Sequence, residues 1–390
     1  MNAAPFIPFA RPALGEEEIE AAAEVIRSGW LTTGPKARAF EAAFAEAIGG
    51  VEAIAVNSAT AGLHLGLEAL GVTAGDRVVT TTFTFTATAE VVRYLGADPV
   101  FVDVDPASLT IDCGAAARAL ATTGARAIIP VHYGGQACDM EALGDAARRH
   151  GAAVLSDAAH AFPASYRGRM IGALDDDVTV FSFYANKTIC TGEGGMIVTR
   201  RPELAERMRV MRLHGIRGDA FDRFRARGPQ WRYEVIAPGF KYNLPDLAAA
   251  IGLVQLRKGE AMRLARERVA RHYFEALADL PLRLPHPRDG NDVHAWHLYP
   301  VRLLPDRLDI DRDRVIEELA AAGIGTSVHY IPLHLHPYWR DRYGLKPEAF
   351  PVATAAYREI LSLPIYPGLR AEEMERVSAT LRAVLLRHAR

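Results

Sequence analysis

The sequence predicts an α/β protein with a mostly parallel central sheet wrapped by helices, followed by a smaller C-terminal α/β domain. Between residues 54 and 199, short apolar runs alternate with stretches whose apolar residues recur at helical spacing. A long helical pattern at 247–278 predicts one or two connecting helices, and the mixed pattern restarts after the proline-rich segment 281–287. These observations place a large domain at residues 1–250 and a connecting helix with the small domain at 251–390.

Seven apolar runs in the first part are predicted strands, because each is short and is followed by turn residues or a helical pattern. They lie at 54–56, 77–80, 100–104, 127–131, 153–155, 178–183 and 196–199. Ligands of such sheets collect beyond the carboxyl ends of the strands, so we expect the functional site at that edge. In the second part, the pattern predicts strands at 294–303 and 325–330, and helices at about 312–322 and from 371.

Composition limits the classes of partner. The 390 residues contain 45 Lys and Arg against 47 Asp and Glu, and this near balance gives no reason to expect nucleic acid or an anionic membrane. Cys113, Cys138 and Cys190 are widely spaced, which argues against a disulfide framework and against a zinc site. Apolar runs stay shorter than a bilayer requires. We therefore expect a cytoplasmic protein without a metal, whose ligands are small molecules.

Two residues near the ends of predicted strands have reactive side chains. Lys187 follows the strand 178–183, and Asp157 follows the apolar stretch 152–155. A neutral lysine forms a Schiff base with an aldehyde, and the ring of pyridoxal 5'-phosphate (PLP) delocalises negative charge released at a substrate carbon. The Asp157 carboxylate can keep the ring nitrogen protonated. A lone lysine is more often a solvated surface residue, but the glycine-rich segment 192–195 permits a tight turn that holds the amine against a cofactor.

The start of one predicted helix is a candidate phosphate site. Residues 57–62 precede an apolar helical pattern at 63–70, so the free amides of the first helical turn point at one spot. The helix dipole favours an anion there, and the Thr60 hydroxyl adds a donor. A Ser or Thr at such a place is more often only a helix cap, but the presence of Lys187 and Asp157 favours phosphate.

Three further side chains are candidate cofactor contacts. Phe85 can stack on the pyridine ring and is favoured over Phe83, with core packing as the alternative for either. His160, three residues after Asp157, can touch the phenolic oxygen of the cofactor or the aspartate, with simple packing as the alternative. Ser182 can donate a hydrogen bond to the phosphate.

Ordered short motifs extend over nearly the whole chain. They lie at 9–12, 28–35, 58–62, 130–135, 157–161, 237–246 and 294–298. In these motifs the chain resembles the sugar-nucleotide aminotransferases of the DegT/DnrJ/StrS family, which have the aspartate aminotransferase fold, PLP fold type I. The resemblance implies that Lys187 binds PLP covalently, that Asp157 pairs with the pyridinium, and that Phe85 stacks on the ring. It also implies a homodimer with shared active sites, in which the phosphate ligands are Ala59, Thr60, Ser182 and, from a second subunit, Asn243.

Within this family the likeness is greatest to enzymes that make UDP-4-amino-4-deoxy-L-arabinose, through 219–223, 241–243 and 294–297. It implies transfer of an amino group from L-glutamate to a nucleotide-linked 4-keto sugar, with UDP as the expected nucleotide. Tyr184 stands where this subgroup has a histidine, and 327–334 looks more like other members of the family. The candidate substrate contacts are Thr32, Tyr184, Arg227, Lys241 and His329.

Several alternatives stay open at this point. Arg227 belongs to an arginine-rich loop that can bind a diphosphate or the donor carboxylates, or can simply be solvated. A GDP- or dTDP-linked sugar, aminated at C3 or C4, is the alternative substrate. A related dehydratase resembles the family with histidine in place of the lysine, so Lys187 argues against it. A non-catalytic PLP-binding regulator would need a DNA- or partner-binding module, which the sequence does not indicate. The resemblance also implies a role in lipopolysaccharide or polysaccharide biosynthesis.

Overall fold

The computed structural model describes residues 5–217, 233–288 and 290–390. Nine strands precede residue 200: β1 (Glu52–Val56), β2 (Arg77–Thr81), β3 (Asp98–Val102), β4 (Ala127–Ile129), β5 (Ala153–Asp157), β6 (Ser165–Tyr166), β7 (Arg169–Met170), β8 (Val178–Ser182) and β9 (Gly195–Thr199). β6 and β7 pair with each other, whereas the other seven form one sheet in the order β1-β9-β8-β5-β4-β2-β3. The strands from β3 to β8 in this order run parallel, and β9 is antiparallel to both of its neighbours. The predicted mostly parallel sheet is therefore confirmed.

Both faces of the sheet are buried, because successive side chains of each strand point to opposite sides. Val78 and Val180 pack on one face, and their neighbours Val79 and Phe181 pack on the other. Crossover helices cover a parallel sheet on both faces. The helices of this part are α1 (Glu16–Ser28), α2 (Pro35–Ile48), α3 (Ala59–Ala69), α4 (Ala87–Tyr94), α5 (Cys113–Thr123), α6 (Met140–His150) and α7 (Pro202–Met211).

One continuous helix, α8 (Asp246–Leu277), accounts for the long helical pattern. It packs against α1 and α2, and the Asp246 carboxylate accepts the backbone N–H groups of Gly34, Lys36 and Ala37 at the start of α2. The helix passes through the predicted domain boundary at residue 250 without a break. The two-domain division therefore stays a prediction.

The C-terminal part has a core of its own, built around Tyr273 of α8, Tyr299 and Leu381. Its elements are β12 (Leu282–Arg283), β13 (Tyr299–Leu303), α9 (Arg312–Ala321), α10 (Pro337–Tyr343), α11 (Pro351–Glu359), β14 (Ile360–Leu363) and α12 (Ala371–Arg387). β12, β13 and β14 form a three-stranded antiparallel sheet, and the short strands β10 (Ile216–Arg217) and β11 (Glu234–Val235) pair separately. Among the described residues, no helix has the length and apolar character needed to cross a lipid bilayer.

Two of the predicted strands are wrong in extent. The strand expected at 294–303 begins only at Tyr299, because the N–H groups of Ala295 and Leu298 are bonded to the carbonyls of Gly135 and Gly134. The segment 325–330 forms only an isolated bridge, from Ser327 to Ser362. At 294–298 and 325–330 the apolar pattern reflects packing near the site and not a sheet ladder.

Candidate active site

A cleft of about 470 Å³ lies at the carboxyl ends of β5 and β8, beside the first turn of α3. β5 ends at Asp157 and β8 ends at Ser182, and the two strands are neighbours in the sheet, so both side chains reach the same edge. Of the predicted site residues, those that line this cleft are Ala59, Thr60, Phe85, Asp157, His160, Ser182, Tyr184, Lys187 and His329.

Lys187 lies in the turn between β8 and β9, where its backbone N–H donates to the carbonyl of Tyr184 at 2.9 Å. Its Nζ lies 3.4 Å from Nε2 of His297. Burial among protein atoms lowers the pKa of the Lys187 amine to about 8, although the negative charge of Asp157 acts in the opposite direction. Near neutral pH the amine is therefore present in both its neutral and its charged form.

Asp157 is 6% exposed and is held by two donors. Its Oδ2 accepts the Thr88 hydroxyl at 2.8 Å, and its Oδ1 accepts the backbone N–H of Ala159 at 3.1 Å. Burial raises the pKa of this carboxyl, whereas the two hydrogen bonds and Lys187 lower it. A buried carboxylate fixed in this way suits a cationic ring nitrogen as its partner.

The first turn of α3 provides amide donors. The Ser58 hydroxyl accepts the N–H of Ala61 at 3.1 Å, and the N–H groups of Ala59 and Thr60, in the same turn, have no carbonyl partner within the helix. A Cβ atom at Gly195 would lie 2.8 Å from the Ala59 nitrogen, so only glycine in β9 permits this close approach of α3. The amides, the Thr60 hydroxyl and the Ser182 hydroxyl face one cleft, and together they fit a phosphate.

His160 forms part of the lining of the cleft. Its Nδ1 accepts the backbone N–H of Gly134 at 3.3 Å, so in the neutral ring the proton is on Nε2, which lies 2.9 Å from the Tyr330 hydroxyl. Burial and then the charge of Lys187 hold the pKa of His160 well below its usual value. Its ring centroid is 4.3 Å from that of His297, so the two imidazoles pack together under the amine of Lys187.

Two exposed rings border the cleft. Phe85 is 59% exposed and Tyr184 is 49% exposed, although both line a concave surface. Phe83 is completely buried against Tyr133, so Phe85 is the phenylalanine of this pair that faces the cleft. On the other side, Nδ1 of His329 lies 3.0 Å from the Ser362 hydroxyl, and burial lowers the pKa of His329 to about 4.

Three predicted residues, Thr32, Lys241 and Asn243, lie outside the lining of this cleft within the described part of the chain. The Asn243 amide donates to the Thr33 hydroxyl at 2.6 Å, and the carbonyls of Thr32 and Lys241 accept hydrogen bonds from elsewhere in the chain. Arg227 lies outside the described residues. The roles of these four residues stay predictions.

The sequence interpretation missed several residues that shape the site: Thr88, Arg266, His297 and Tyr330. His297 falls within the motif 294–298 that carries the resemblance, which is a signal of importance but not of role, whereas Tyr330 lies in 327–334, which looks more like other members of the family. Thr88 lies in a hydroxyl-rich run after β2, and only the contact between this run and the end of β5 shows which hydroxyl meets the carboxylate.

A reactive lysine, a buried carboxylate and a helix N-terminus at the carboxyl edge of a mostly parallel sheet define the site of a PLP-dependent enzyme. Residues 12–382 match the DegT/DnrJ/EryC1/StrS aminotransferase family, and the chain belongs to this family.

Relatives and solved structures are similar over almost the full length. An uncharacterised protein of Methanocaldococcus jannaschii is 46% identical, over 95% of each chain, and the spore coat polysaccharide biosynthesis protein SpsC of Bacillus subtilis is 43% identical, over 97% of each. Spr1654 of Streptococcus pneumoniae, provisionally described as a sugar aminotransferase, is 30% identical over 98% of this chain and 99% of its own. Its PMP and PLP forms superpose with TM-scores of 0.91 and 0.90. The predicted fold type, aminotransferase class and cofactor are thereby confirmed.

Proposed function

We propose that this chain transfers the amino group of L-glutamate to C4 of a nucleotide-linked keto sugar, with UDP as the nucleotide and 2-oxoglutarate as the second product. The observation that carries the proposal is the position of the Lys187 amine in one cleft with Asp157 and the first turn of α3, where burial lowers the pKa of the amine to about 8. The sugar is supported by what the relatives are named for, spore coat polysaccharide biosynthesis and sugar aminotransferase activity.

Bound PLP supplies a ring that delocalises the electron pair left when a substrate carbon loses its proton. Lys187 moves that proton. In its neutral form the amine removes a proton from the α-carbon of the donor, and in the second half of the reaction it returns a proton to the keto carbon of the sugar. Because the pKa of Lys187 is about 8, neither transfer requires a rare protonation state near neutral pH.

The neighbours of Lys187 orient the groups that react. Nε2 of His297 lies 3.4 Å from the Lys187 amine and restricts its position in the cleft. Asp157 would stabilise positive charge at the ring nitrogen of bound PLP, and the donors from Thr88 and Ala159 keep its oxygens in one orientation. Each of these contacts fixes an atom before the substrate arrives, which reduces the reorganisation required in the transition state.

The walls of the cleft suit a sugar ring. Tyr184, Tyr330 and His329 offer the sugar two aromatic faces, two hydroxyl groups and a polar nitrogen, and Phe85 is expected to stack on the cofactor ring. Small-molecule sites combine apolar walls with a few polar groups that set orientation. We place the keto sugar between these side chains, with its C4 toward Lys187.

We further propose a cytoplasmic homodimer in which Asn243 binds the phosphate of the partner's PLP, and in which Thr32, Lys241 and Arg227 contact substrate. The positions of Thr32, Lys241 and Asn243 outside the cleft of their own chain support this arrangement. Co-expression of Lys187→Ala and Asn243→Ala chains tests it. If the sites are shared, the mixed dimer has one site with both substitutions and one site with neither, so it should be active although each homodimer is inactive. A mixed dimer that is as inactive as the two homodimers argues against shared sites.

The substrate is tested by offering glutamate with a panel of UDP-, GDP- and dTDP-linked keto sugars and identifying the aminated product by mass spectrometry and NMR. We expect a UDP-linked 4-amino sugar and 2-oxoglutarate in equal amounts. A C3 product or another nucleotide would correct the proposed substrate, and failure with every keto sugar would refute the sugar proposal. Lys187→Ala should abolish turnover, whereas Lys346→Ala, at an exposed position, should not.

A further inference from the structure

Arg266 is a buried cation near the middle of α8, directly behind the turn of Lys187. It is 2% exposed, and no carboxylate of the described residues is among its partners. Its guanidinium donates instead to backbone carbonyl oxygens at distances between 2.9 and 3.4 Å. The four acceptors are the carbonyls of Asn186, Trp296, His297 and Ile365.

A cation in this position is unfavourable for stability alone. Burial lowers the pKa of Arg266 to about 10, because the charge has lost its water without gaining an anionic partner. An apolar side chain of similar size would avoid that desolvation but would leave the four carbonyls without their donor. The role of the guanidinium is therefore to bind these carbonyls and not to pack.

The four carbonyls belong to three separate segments, and two of these carry side chains that meet in the site. Asn186 precedes Lys187, and Trp296 precedes His297, whose Nε2 lies 3.4 Å from the Lys187 amine. Arg266 thus binds the backbone on both sides of this contact. The same helix holds the far end of the turn, because Oε1 of Gln255 accepts the backbone N–H of Cys190 at 3.3 Å.

We propose that Arg266 is a positioning residue for amino transfer, which joins the turn of Lys187 to the segment of His297 so that amine and imidazole stay in contact. The proposal requires Lys187 to be the reactive amine, but it does not depend on which sugar is the substrate. It assigns the guanidinium to the backbone of the site and not to substrate or cofactor.

The charge of Arg266 has a second consequence. The groups that face the Lys187 amine are Asp157 from β5, His160, His297, His329 and Arg266 from α8, with Glu193 at the rim of the cleft. Burial is the main cause of the low pKa of Lys187; Asp157 raises this pKa and Arg266 lowers it. Loss of the guanidinium charge is therefore expected to raise the pKa of Lys187.

The test compares Arg266→Met and Arg266→Lys with Arg268→Met, which removes an exposed arginine of the same helix. The first measurement is the pH dependence of Lys187 acetylation in the full-length, cofactor-free protein, read by peptide mass spectrometry. The wild-type midpoint is expected at about 8. Arg266→Met should shift this midpoint upward, whereas Arg266→Lys, which keeps a charge, should shift it less. Arg268→Met should match the wild type.

The second measurement is the kinetics of PLP-loaded enzyme with glutamate. Methionine has no donor for the four carbonyls, and lysine cannot reach all of them. Both Arg266 variants should therefore lose roughly 100-fold in kcat with little change in KM, which is the effect of a displacement of about 1 Å at the reacting atoms. If Arg266 is only structural, the variants will unfold at a lower temperature than the wild type. Below that temperature they will keep wild-type kcat and the wild-type acetylation profile. This result overturns the proposal. Should Arg266→Met fail to fold, wild-type kcat in folded Arg266→Lys overturns it equally. The acetylation profile requires no sugar, so failure of the sugar assignment leaves this test intact.

Discussion

Replacing Lys187 with methionine is expected to stabilise the cofactor-free protein while abolishing its activity. The pKa of Lys187 falls from an ordinary value of 10.5 to about 8, mainly because burial disfavours its charge. Between these two pH values the unfolded chain binds more protons than the folded chain, so the free energy of unfolding contributed by this group rises with pH. Below pH 8 the amine is protonated in both states, so the full free-energy cost of burying its charge destabilises the folded state.

The difference between the two pKa values corresponds to about 3 kcal/mol. Lys187 is partly open to the cleft, and methionine loses the hydrogen bond to His297, so we expect a net gain of about 2 kcal/mol at pH 7. Methionine has a similar length and no charge, so it fills the same space. At pH 10.5 Lys187 is neutral in the folded state and half protonated in the unfolded state, so most of the gain should be lost.

Urea unfolding of the cofactor-free protein at pH 7 and pH 10.5 measures this difference. Lys346→Met, at an exposed position, is the control and should change the free energy of unfolding by less than about 0.5 kcal/mol at either pH. Added PLP should stabilise the wild type more than Lys187→Met. A variant that is no more stable than the wild type at pH 7, or equally stabilised at both pH values, would refute the reasoning.

Three further changes probe the cofactor cleft. Asp157→Asn removes the negative charge next to the ring nitrogen and should lower kcat by roughly 100-fold, as measured by steady-state kinetics. It should not destabilise the cofactor-free protein in urea unfolding, because burial already disfavours this charge. Thr88→Val removes one donor to Asp157 and should cost about 1–3 kcal/mol in unfolding free energy, with recovery in Thr88→Ser; equal stability of all three proteins would contradict the contact. Gly195→Ala places a Cβ atom 2.8 Å from the Ala59 nitrogen, so a fluorescence titration should show weaker PLP binding, whereas Gly368→Ala, with no atom within 4 Å of its added Cβ, should bind as the wild type does.

Local patterns in the sequence were sufficient for the architecture and for the position of two residues in the cleft. Strand-length apolar runs alternating with helical spacing require a parallel sheet with crossovers, and this sheet is present. Because parallel strands end at a common edge, the positions of Asp157 and Lys187 after predicted strands were enough to place both at that edge, and both line the cleft there. The prediction of a strand at 325–330 was wrong, because apolar periodicity does not distinguish a strand in a sheet from a segment packed beside a site.

The chemical state of the site was decided only by the tertiary structure. Lys187 and His297 are 110 residues apart, and Thr88 is 69 residues from Asp157, so no local pattern could pair them. A pKa of about 8 for a lysine arises from the removal of water by surrounding segments, and desolvation is a property of the assembled fold. Sequence by itself determined which reactive groups lie at the edge of the sheet. Packing determined their protonation and their partners, because both depend on distances and solvent exclusion that exist only after the chain has folded.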